Sequence, residues 1–204
     1  MKNKSNGLYR AAKIILRPLI KIFFPYTVKG EQNLGSMEGP YILCSNHLSN
    51  LDPIFLVISH KNQIRFMGKA ELFKNPILGY IFRKFGAFSI ERGKRDKQAL
   101  YNAENILKNG EILGIFIEGT RSKTGEFLRP RSGTALLACK ANLPIIPVCI
   151  TGGGKNNKIK IFKKTTISYG APMNISDIPG AVEINIGTLR RVSSDIMDKI
   201  KEMR

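Results

Sequence analysis

The sequence has few of the residues that build metal sites or disulfide frameworks. Its three cysteines, Cys44, Cys139 and Cys149, are odd in number and scattered through apolar runs such as PVCI. Cysteines of this kind are typical of small buried hydrophobes in a reducing compartment. The two histidines, His47 and His60, belong to no cluster of His, Cys and carboxylate residues with metal-ligand spacing. We therefore predict neither disulfides nor a metal site, and a structural role for His60.

Acidic residues are scarce as well: Asp and Glu number 15 against 33 Lys and Arg, so the formal charge is +18. This balance favours an anionic partner, such as acidic lipid, nucleic acid or a phosphorylated substrate. A basic, non-enzymatic protein that binds membrane or nucleic acid is thus one class to consider. However, the chain has no zinc-finger spacing, RNP-like aromatic motif or recognisable helix-turn-helix, and its lysines are dispersed. We therefore expect no nucleic-acid partner.

The chain also lacks an apolar run of the roughly 18 residues that a membrane-spanning helix requires. The N-terminal stretch LYRAAKIILRPLIKIFFPYTV is interrupted by four cations, Arg10, Lys13, Arg17 and Lys21. No small-residue cleavage site follows a clean apolar region, which argues against a secretory signal. The sequence therefore predicts a cytoplasmic protein without a transmembrane helix.

Residues 1–25 instead have the pattern of a helix that lies on a membrane surface. The four cations are spaced three, four and four residues apart, which places them on one stripe of a helix. The other side carries apolar side chains: Ala12, Ile15, Leu16, Leu19, Ile22 and Phe23. Pro18 should kink this helix or begin a second one, and Pro25 should end it. We predict an interfacial segment on an anionic membrane, peripheral or monotopic at its cytoplasmic face; a helix packed on the protein's own core is the alternative.

Beyond this segment, strand-like and helix-like stretches alternate. YILCS, GIFIE and LPIIPVCI are short, continuously apolar segments, as in the buried strands of a parallel sheet. Helices are predicted at residues 52–60, 75–85, 96–110, 133–142 and 183–204. The alternation predicts an α/β fold with a mainly parallel central sheet flanked by helices. Since the chain has no internal repeat, linker or low-complexity tract, residues 26–204 should form one domain.

Two further segments are predicted as surface features. KIKIFKKTTISYG, residues 158–170, resembles an edge strand pair whose lysines face outward. TGGGK, residues 151–155, lacks the spacing of a phosphate-binding P-loop, so a turn between strands explains it better.

The stretch CSNHLSNLDP, residues 44–53, is the first candidate for chemistry. His47 follows a predicted strand, and functional groups in such sheets gather at the carboxyl ends of strands. Asp52 precedes Pro53 and would be a good N-cap for the next helix, so a capping aspartate beside an incidental histidine is the alternative. On a regular helix the two side chains would point about 140° apart, so pairing them requires a bend. If they pair, Asp52 fixes the imidazole tautomer, and the other ring nitrogen can take a proton from a substrate hydroxyl.

Three more segments follow in order: GAFSIER, which ends in Arg92; FIEGTRS, residues 116–122; and LPIIPVCI. Together with NHLSNLD, they resemble the four motifs of the glycerolipid acyltransferases, specifically the 1-acyl-sn-glycerol-3-phosphate acyltransferases. NHLSNLD is similar to that family's Asn-His-x4-Asp motif, and GKAEL, which contains Lys69, matches a lysine-containing segment often seen there. The resemblance covers roughly residues 28–150 and implies a glycerol-3-phosphate acyltransferase-like fold.

The resemblance implies an enzyme that transfers a fatty acyl group to the sn-2 hydroxyl of 1-acyl-glycerol 3-phosphate and forms phosphatidic acid without a further cofactor. It implies that His47 is the general base and Asp52 its partner. The residues that would bind phosphate and glycerol are Lys69, Arg92, Glu118, Gly119, Thr120 and Arg121. Because a carboxylate repels phosphate, we expect Glu118 to hold Arg121 or a glycerol hydroxyl. At Lys69 and Arg92, ordinary exposed surface cations are the alternative.

The sequence does not decide which acyl donor and which acceptor the enzyme would use. The donor would be acyl-CoA or the acidic acyl carrier protein, and the acceptor a lysophospholipid. Glycerol 3-phosphate or a lyso-aminolipid is the second choice of acceptor. Ser45 and Ser49 flank His47, but neither lies in a nucleophile-elbow sequence, and the resemblance implies direct transfer without an acyl-enzyme.

Overall fold

The computed structural model of the chain describes residues 7–35, 37, 39–90, 97–178 and 184–204. In these ranges the helices are α1 Gly7–Phe23, α2 Asp52–Ser59, α3 Pro76–Lys84, α4 Lys97–Lys108, α5 Gly133–Ala141 and α6 Ile186–Glu202. The strands are β1 Tyr26–Lys29, β2 Ile42–Ser45, β3 Ile64–Lys69, β4 Ala87–Ile90, β5 Ile112–Phe116, β6 Ile145–Thr151 and β7 Thr165–Tyr169. Strands and helices alternate along most of this chain, which is the pattern of an α/β fold.

The strands form one sheet in the order β1-β7-β6-β2-β5-β3-β4. From β6 to β4 the neighbouring strands are parallel, whereas β7 is antiparallel to β6 and parallel to β1. The prediction of an α/β fold with a mainly parallel sheet is therefore confirmed.

Helices cover both faces of this sheet, and strand residues alternate between the two. Ile112 of β5 lies in an apolar cluster with Phe55 of α2. The next residue, Leu113, lies in a second cluster on the opposite face with Ile196 of α6. Because both faces are covered, a central strand such as β2 is buried at every position, which explains its continuous apolar sequence.

The register of the strands brings several loops to one edge of the sheet. Ser45 of β2 lies opposite Val148 of parallel β6, so both strands end at the same edge, which we call the carboxyl edge. Thr151 at the end of β6 lies opposite Thr166 in antiparallel β7, so β7 begins at this edge. β1 is parallel to β7 and begins there too. The loops that follow β2, β5 and β6 therefore lie at the carboxyl edge, and so does the end of α1.

Two predicted strands differ from those observed. Of the strand pair predicted at residues 158–170, only β7 is a strand, and it does not lie at the sheet's edge because β1 pairs with its outer side. Residues 158–164 are a loop, and the φ of 58° at Phe162 lies outside the range of a regular strand. The strand predicted at residues 114–118 begins and ends two residues earlier, because Gly119 already has a left-handed φ of 67°. β1, β3 and β4 were not among the predicted strands.

Helix α1 is continuous through Pro18 and ends before Pro25. Two of its cations face the protein: buried Lys13 donates to the carbonyl of His60, and Arg17 Nε donates to the carbonyl of Ile58 at 2.7 Å. These carbonyls lie at the C-terminal end of α2, where orphan carbonyls and the helix dipole favour positive charge. Burial, with a smaller effect from Arg17, lowers the pKa of Lys13 to about 8.

The opposite side of α1 is apolar and exposed. Its large exposed side chains are Ile14, Ile15, Leu19, Ile22 and Phe23. Only part of the predicted apolar side turns inward, since Leu16 packs against the same core cluster as Phe55. The four cations of the predicted stripe thus do not share one environment, because Lys13 and Arg17 donate to backbone carbonyls of α2. Among the described helices, none combines the length and the apolar content that a membrane crossing requires.

Candidate active site

The pair predicted from CSNHLSNLDP is formed in the structure. His47 Nδ1 lies 2.7 Å from Asp52 Oδ2, and Asp52 is fully buried. The same carboxylate oxygen accepts hydrogen bonds from the amides of Leu48 and Ser49, at 2.6 and 2.8 Å. Asp52 thus folds the chain back on itself, which supplies the bend that the five-residue spacing required.

Asp52 is not the N-cap of α2, contrary to one expectation from its position before Pro53. It is the first residue of the helix, Leu51 occupies the N-cap, and no side chain caps the helix there. The carboxylate points back toward the His47 loop instead, because three donors converge on it there. The alternative of a capping aspartate beside an incidental histidine therefore does not hold.

Two neighbouring groups fix the position of His47. Its imidazole stacks on Phe116, with ring centroids 4.0 Å apart and planes 14° apart. Phe116 in turn faces Phe66, with centroids 6.0 Å apart. Phe66 occupies the space beside Gly114, where any Cβ would overlap its ring. The imidazole is therefore held in one plane by Asp52 on one side and by an aromatic stack on the other.

The residue before His47 ties the loop to the sheet. The buried side chain of Asn46 donates to the carbonyl of Ile150 at 2.9 Å and accepts from the amide of Ile150 at 2.8 Å. The side-chain amide of Asn46 therefore continues the pairing of β2 with β6 beyond Ser45, the last residue of β2. The His47 carbonyl also accepts from the amide of Ser122 at 2.8 Å, which connects the loop to the segment after β5.

Glu118 lies buried near the start of that segment, beside the His47 loop. Burial raises its pKa to about 7; the backbone of His47 and Leu128 opposes this rise, and the negative charge of Asp52 adds to it. Neither carboxylate oxygen has a hydrogen-bond partner of normal geometry within the described chain. The expected ion pair with Arg121 does not form, because the Glu118 carboxylate is buried without a partner while Arg121 is exposed to solvent. Contact of Glu118 with a glycerol hydroxyl stays a prediction.

We expect the titration of Glu118 to make the protein less stable as pH rises. Its native pKa of about 7 lies above the ordinary value of 4.5, so its contribution is most favourable below about pH 4.5 and is lost as pH rises through about 7. Glu118→Gln should therefore gain free energy of unfolding relative to wild type with increasing pH, by up to about 3 kcal/mol. Urea unfolding of both proteins between about pH 5 and pH 8 measures this difference. Glu202→Gln, at an exposed site, controls for the change to an amide; a difference that does not vary with pH would contradict the assignment.

Gly119 is required for close packing as well as for its backbone conformation. Its φ is 67°, and a Cβ there would lie 2.6 Å from Cδ and 2.7 Å from Nε of Arg131. The side chain of Arg131 therefore crosses the backbone of the EGTR segment. Thr120 and Arg121 follow this turn and are exposed at the carboxyl edge, where they are free to meet a ligand.

Two predicted phosphate contacts are only partly placed. Lys69 is the last residue of β3, and its backbone pairs with Ile90 at the end of β4. This puts Lys69 at the carboxyl edge, like the loop that follows β2. Arg92 lies outside the described residues, so its role stays a prediction.

The remaining titratable residues do not suggest a metal or redox centre. Within the described ranges, no group of three or more His, Cys, Asp and Glu side chains is placed to hold a metal ion. Cys44, Cys139 and Cys149 are free. His60 is buried, bonded through Nε2 to the Tyr41 hydroxyl at 2.8 Å, and its pKa is lowered to about 4 chiefly by burial. This environment is typical of a structural histidine.

Comparison with known proteins places this arrangement in a family. The acyltransferase family model matches residues 25–151, which include the His47–Asp52 pair and the EGTR segment. The chain belongs to the acyltransferase family. The match covers more than half of the chain, and the family resemblance read from the four motifs is confirmed.

Two relatives of this acyltransferase are named for the same activity. It is 30% identical over 135 residues to the chloroplastic 1-acyl-sn-glycerol-3-phosphate acyltransferase of Brassica napus, a match that covers 65% of this chain and 39% of the relative. It is 28% identical over 171 residues to the 1-acyl-sn-glycerol-3-phosphate acyltransferase of Bacillus subtilis, covering 83% of this chain and 84% of the relative. This acyltransferase thus spans about two fifths of the plant protein and most of the bacterial one.

A solved structure shares the fold. The 1-acyl-sn-glycerophosphate acyltransferase PlsC of Thermotoga maritima superposes with a TM-score of 0.75 at 23% identity, covering 96% of this chain and 79% of that one. The acyltransferase fold therefore includes the α1 region as well as the segment that carries the motifs.

Sequence reasoning missed three residues that shape this site. Phe116 and Asn46 adjoin the recognised motifs, but a motif comparison gives no role to an aromatic or an amide whose partner lies in another strand. Arg131 lies ten residues after Arg121 in LRPRSG, and only the φ of Gly119 and the space above it reveal the contact. The glycine in EGTR signalled an unusual backbone conformation, but the sequence did not show that Arg131 packs against it.

Proposed function

We propose that the protein is a 1-acyl-sn-glycerol-3-phosphate acyltransferase. It would transfer a fatty acyl group from an acyl thioester, either acyl-CoA or acyl carrier protein, to the sn-2 hydroxyl of lysophosphatidic acid. The product would be phosphatidic acid, a precursor of phospholipids. The observation that carries this proposal is the 2.7 Å contact between His47 Nδ1 and Asp52 Oδ2 at the carboxyl edge of the sheet, in a chain that belongs to the acyltransferase family. The activity for which both relatives are named supports the choice of acceptor.

The geometry of the pair suits a general base. An aspartate carboxylate only accepts, so His47 Nδ1 carries the proton that is donated to Asp52, and Nε2 has its lone pair available. Nε2 would take the proton of the acceptor hydroxyl as its oxygen attacks the thioester carbonyl. The carbon–sulfur bond then breaks, and the imidazolium returns its proton to the leaving thiolate. Acyl group and proton are both accounted for without a covalent enzyme intermediate.

The residues around the pair would bind the acceptor. Arg121 is exposed on the loop after β5, and its guanidinium suits phosphate oxygens because the fork can bind two at once. Arg92 and Lys69 are proposed to add positive charge for the same phosphate. Gly119 lets the EGTR backbone approach a ligand, and Thr120 offers a hydroxyl beside it.

We expect Arg121→Ala to raise the KM for lysophosphatidic acid by about 10- to 100-fold, because one charge-assisted bond to phosphate contributes roughly 1.5 to 3 kcal/mol. The loss should be much smaller with monoacylglycerol, which lacks the phosphate. Steady-state kinetics with the two acceptors measure this difference. Arg190→Ala, at an exposed arginine of α6, is the matched control. Equal losses with both acceptors would remove Arg121 from phosphate binding.

Thiol release tests the proposed activity itself. The purified protein should release free CoA from acyl-CoA only when lysophosphatidic acid is present, and mass spectrometry should detect phosphatidic acid. Parallel reactions with glycerol 3-phosphate, a lyso-aminolipid and acyl carrier protein decide between acceptors and between donors. Absence of acylated lipid with every acceptor would favour the non-enzymatic basic protein.

We further propose that the protein acts at the cytoplasmic face of an anionic membrane, with α1 as its membrane contact. The outer side of α1 is apolar and exposed, and Arg10 and Lys21 lie beside it. A lipid acceptor and a lipid product give such a contact a purpose. Lys13 and Arg17 would hold α1 on the protein while its apolar side enters the bilayer.

A further inference from the structure

The loop between β6 and β7, residues 152–164, carries an exposed apolar tip that the proposed chemistry does not use. Ile161 and Phe162 are 55% and 67% exposed. Phe162 has a φ of 58°, in the left-handed region that bulky side chains rarely occupy. A strained, exposed aromatic side chain is retained only where surrounding structure imposes it, which marks the tip as a candidate for function.

The loop is held in place by backbone packing. Gly152, Gly153 and Gly154 lie so close to the backbone of Lys158 and Lys164 that none could carry a Cβ without overlap. This is the role of the TGGGK segment, which was predicted as a turn. The three glycines therefore allow the close backbone packing that fixes the conformation of the loop.

A side chain connects the same loop to the neighbouring one. Asn157 accepts from the Gly152 amide at 2.7 Å and donates to the carbonyl of Gly125 at 3.3 Å. Gly125 belongs to the segment that follows the EGTR residues, so the loop is fixed against the proposed acceptor site.

The charge of the loop is of one sign. Its five lysines are all exposed: Lys155, Lys158, Lys160, Lys163 and Lys164. Neither this loop nor α1 contains an acidic residue. An apolar tip surrounded by ammonium groups is complementary to acyl chains beneath anionic headgroups.

The tip is also continuous with the outer side of α1. The Phe162 amide donates to the carbonyl of Phe23 at 2.7 Å, and the two rings lie 6.3 Å apart. Both elements meet at the carboxyl edge, where His47 follows β2. A membrane that contacted both would face the edge at which the reaction is proposed to occur.

We propose that the 152–164 loop is a second membrane-inserting element, with Ile161 and Phe162 entering an anionic bilayer and the five lysines binding lipid phosphates. The inference rests on the proposed function only in assigning a purpose to the contact, namely access to a lipid acceptor. The contact itself follows from exposure, charge and the shared surface with α1.

Vesicle binding by the full chain tests this. The variant Ile161→Ser/Phe162→Asn removes the apolar tip, and asparagine tolerates the left-handed φ. Its control is Ile184→Ser/Ile186→Ser, a pair that is 47% and 72% exposed at the start of α6. Partition onto phosphatidylcholine vesicles containing phosphatidylglycerol should fall by roughly tenfold or more for the loop variant, since a buried Ile or Phe is worth about that factor. The control should bind like wild type, and wild-type binding should weaken in high salt or without phosphatidylglycerol.

Three results would overturn the proposal: wild-type binding by the loop variant, equal losses in both variants, or wild-type protein that ignores anionic vesicles. A soluble short-chain lysophosphatidic acid separates membrane contact from catalysis. The loop variant should turn it over at the wild-type rate, and a loss there would mean that the loop acts in the site instead. If wild type does not acylate this acceptor, the proposed function fails while the vesicle result still decides the role of the loop.

Discussion

Replacing His47 by alanine is expected to lower the turnover of acyl transfer by roughly 10²- to 10⁴-fold, the usual contribution of a positioned general base. The imidazole is the group that can take a proton at this position, since the paired Asp52 is buried and already accepts three hydrogen bonds. Asp52→Asn should lose a sizeable part of the same factor, because an amide no longer fixes the tautomer with Nε2 free. Steady-state assays with acyl-CoA and lysophosphatidic acid give both values.

Binding of the acceptor and thermal unfolding provide the controls for this result. Both should stay close to wild type in His47→Ala, because the imidazole is partly exposed and its removal leaves the bonds from Leu48 and Ser49 to Asp52 in place. Intact-mass spectra after incubation with donor alone should show no acylated protein. Near-normal turnover by His47→Ala would refute the dyad, and an acyl adduct on Ser45 or Ser49 would refute direct transfer.

Polar substitution of the outer side of α1 is expected to have the second-largest effect. The triple variant Ile15→Gln, Leu19→Gln and Ile22→Gln should lower partition onto anionic vesicles by about 10²- to 10³-fold, because each side chain contributes roughly 1 kcal/mol or more on insertion. Co-sedimentation with vesicles measures this. The free energy of unfolding should change little, since all three side chains are exposed and glutamine is a good helix former.

Charge reversal on the inner side of α1 provides the contrasting variant. Lys13→Glu would place a carboxylate against the carbonyl of His60 in a buried position, so it should destabilise the fold or release α1. Lys21→Gln, at an exposed position of the same helix, is the mild control. The membrane assignment would be wrong if the triple glutamine variant lost stability but bound vesicles like wild type under conditions in which it is folded. In that case α1 completes the core and the membrane contact lies elsewhere.

The fold was predictable where burial leaves one choice of structure. β2 and β6 are buried on both faces, so their sequences are apolar at nearly every position and no other element fits. β1 and β3 were missed because their sequences, YTVK and IRFMGK, mix polar and apolar residues in short runs. The loop at 158–164 resembled a strand because lysine and apolar residues alternate in KIKIF, whereas the left-handed Phe162 that ends the pattern leaves no mark in composition.

The sequence could not predict which side of α1 faces the protein. The amphipathic pattern of α1 divides the helix into two sides, but it does not say which side meets the protein. The deciding partners of Lys13 and Arg17 are backbone carbonyls of α2, which carry no sequence signal. In the site, motif spacing placed His47 and Asp52 together, whereas the burial of Glu118 depends on how the loop after β5 packs against the His47 loop.

Because Gly114 has no side chain, packing in the middle of the sheet is connected to the imidazole of His47. Phe66 fills the space beside it, Phe116 faces Phe66, and His47 lies on Phe116, so three rings form a continuous stack. Any larger residue at position 114 would displace the first ring, and the shift would pass along the stack to the ring that holds the proton. In a genetic screen, alleles of this glycine should therefore group with those of His47 and Asp52, although Gly114 touches neither residue. A library built to retain activity should hold it fixed.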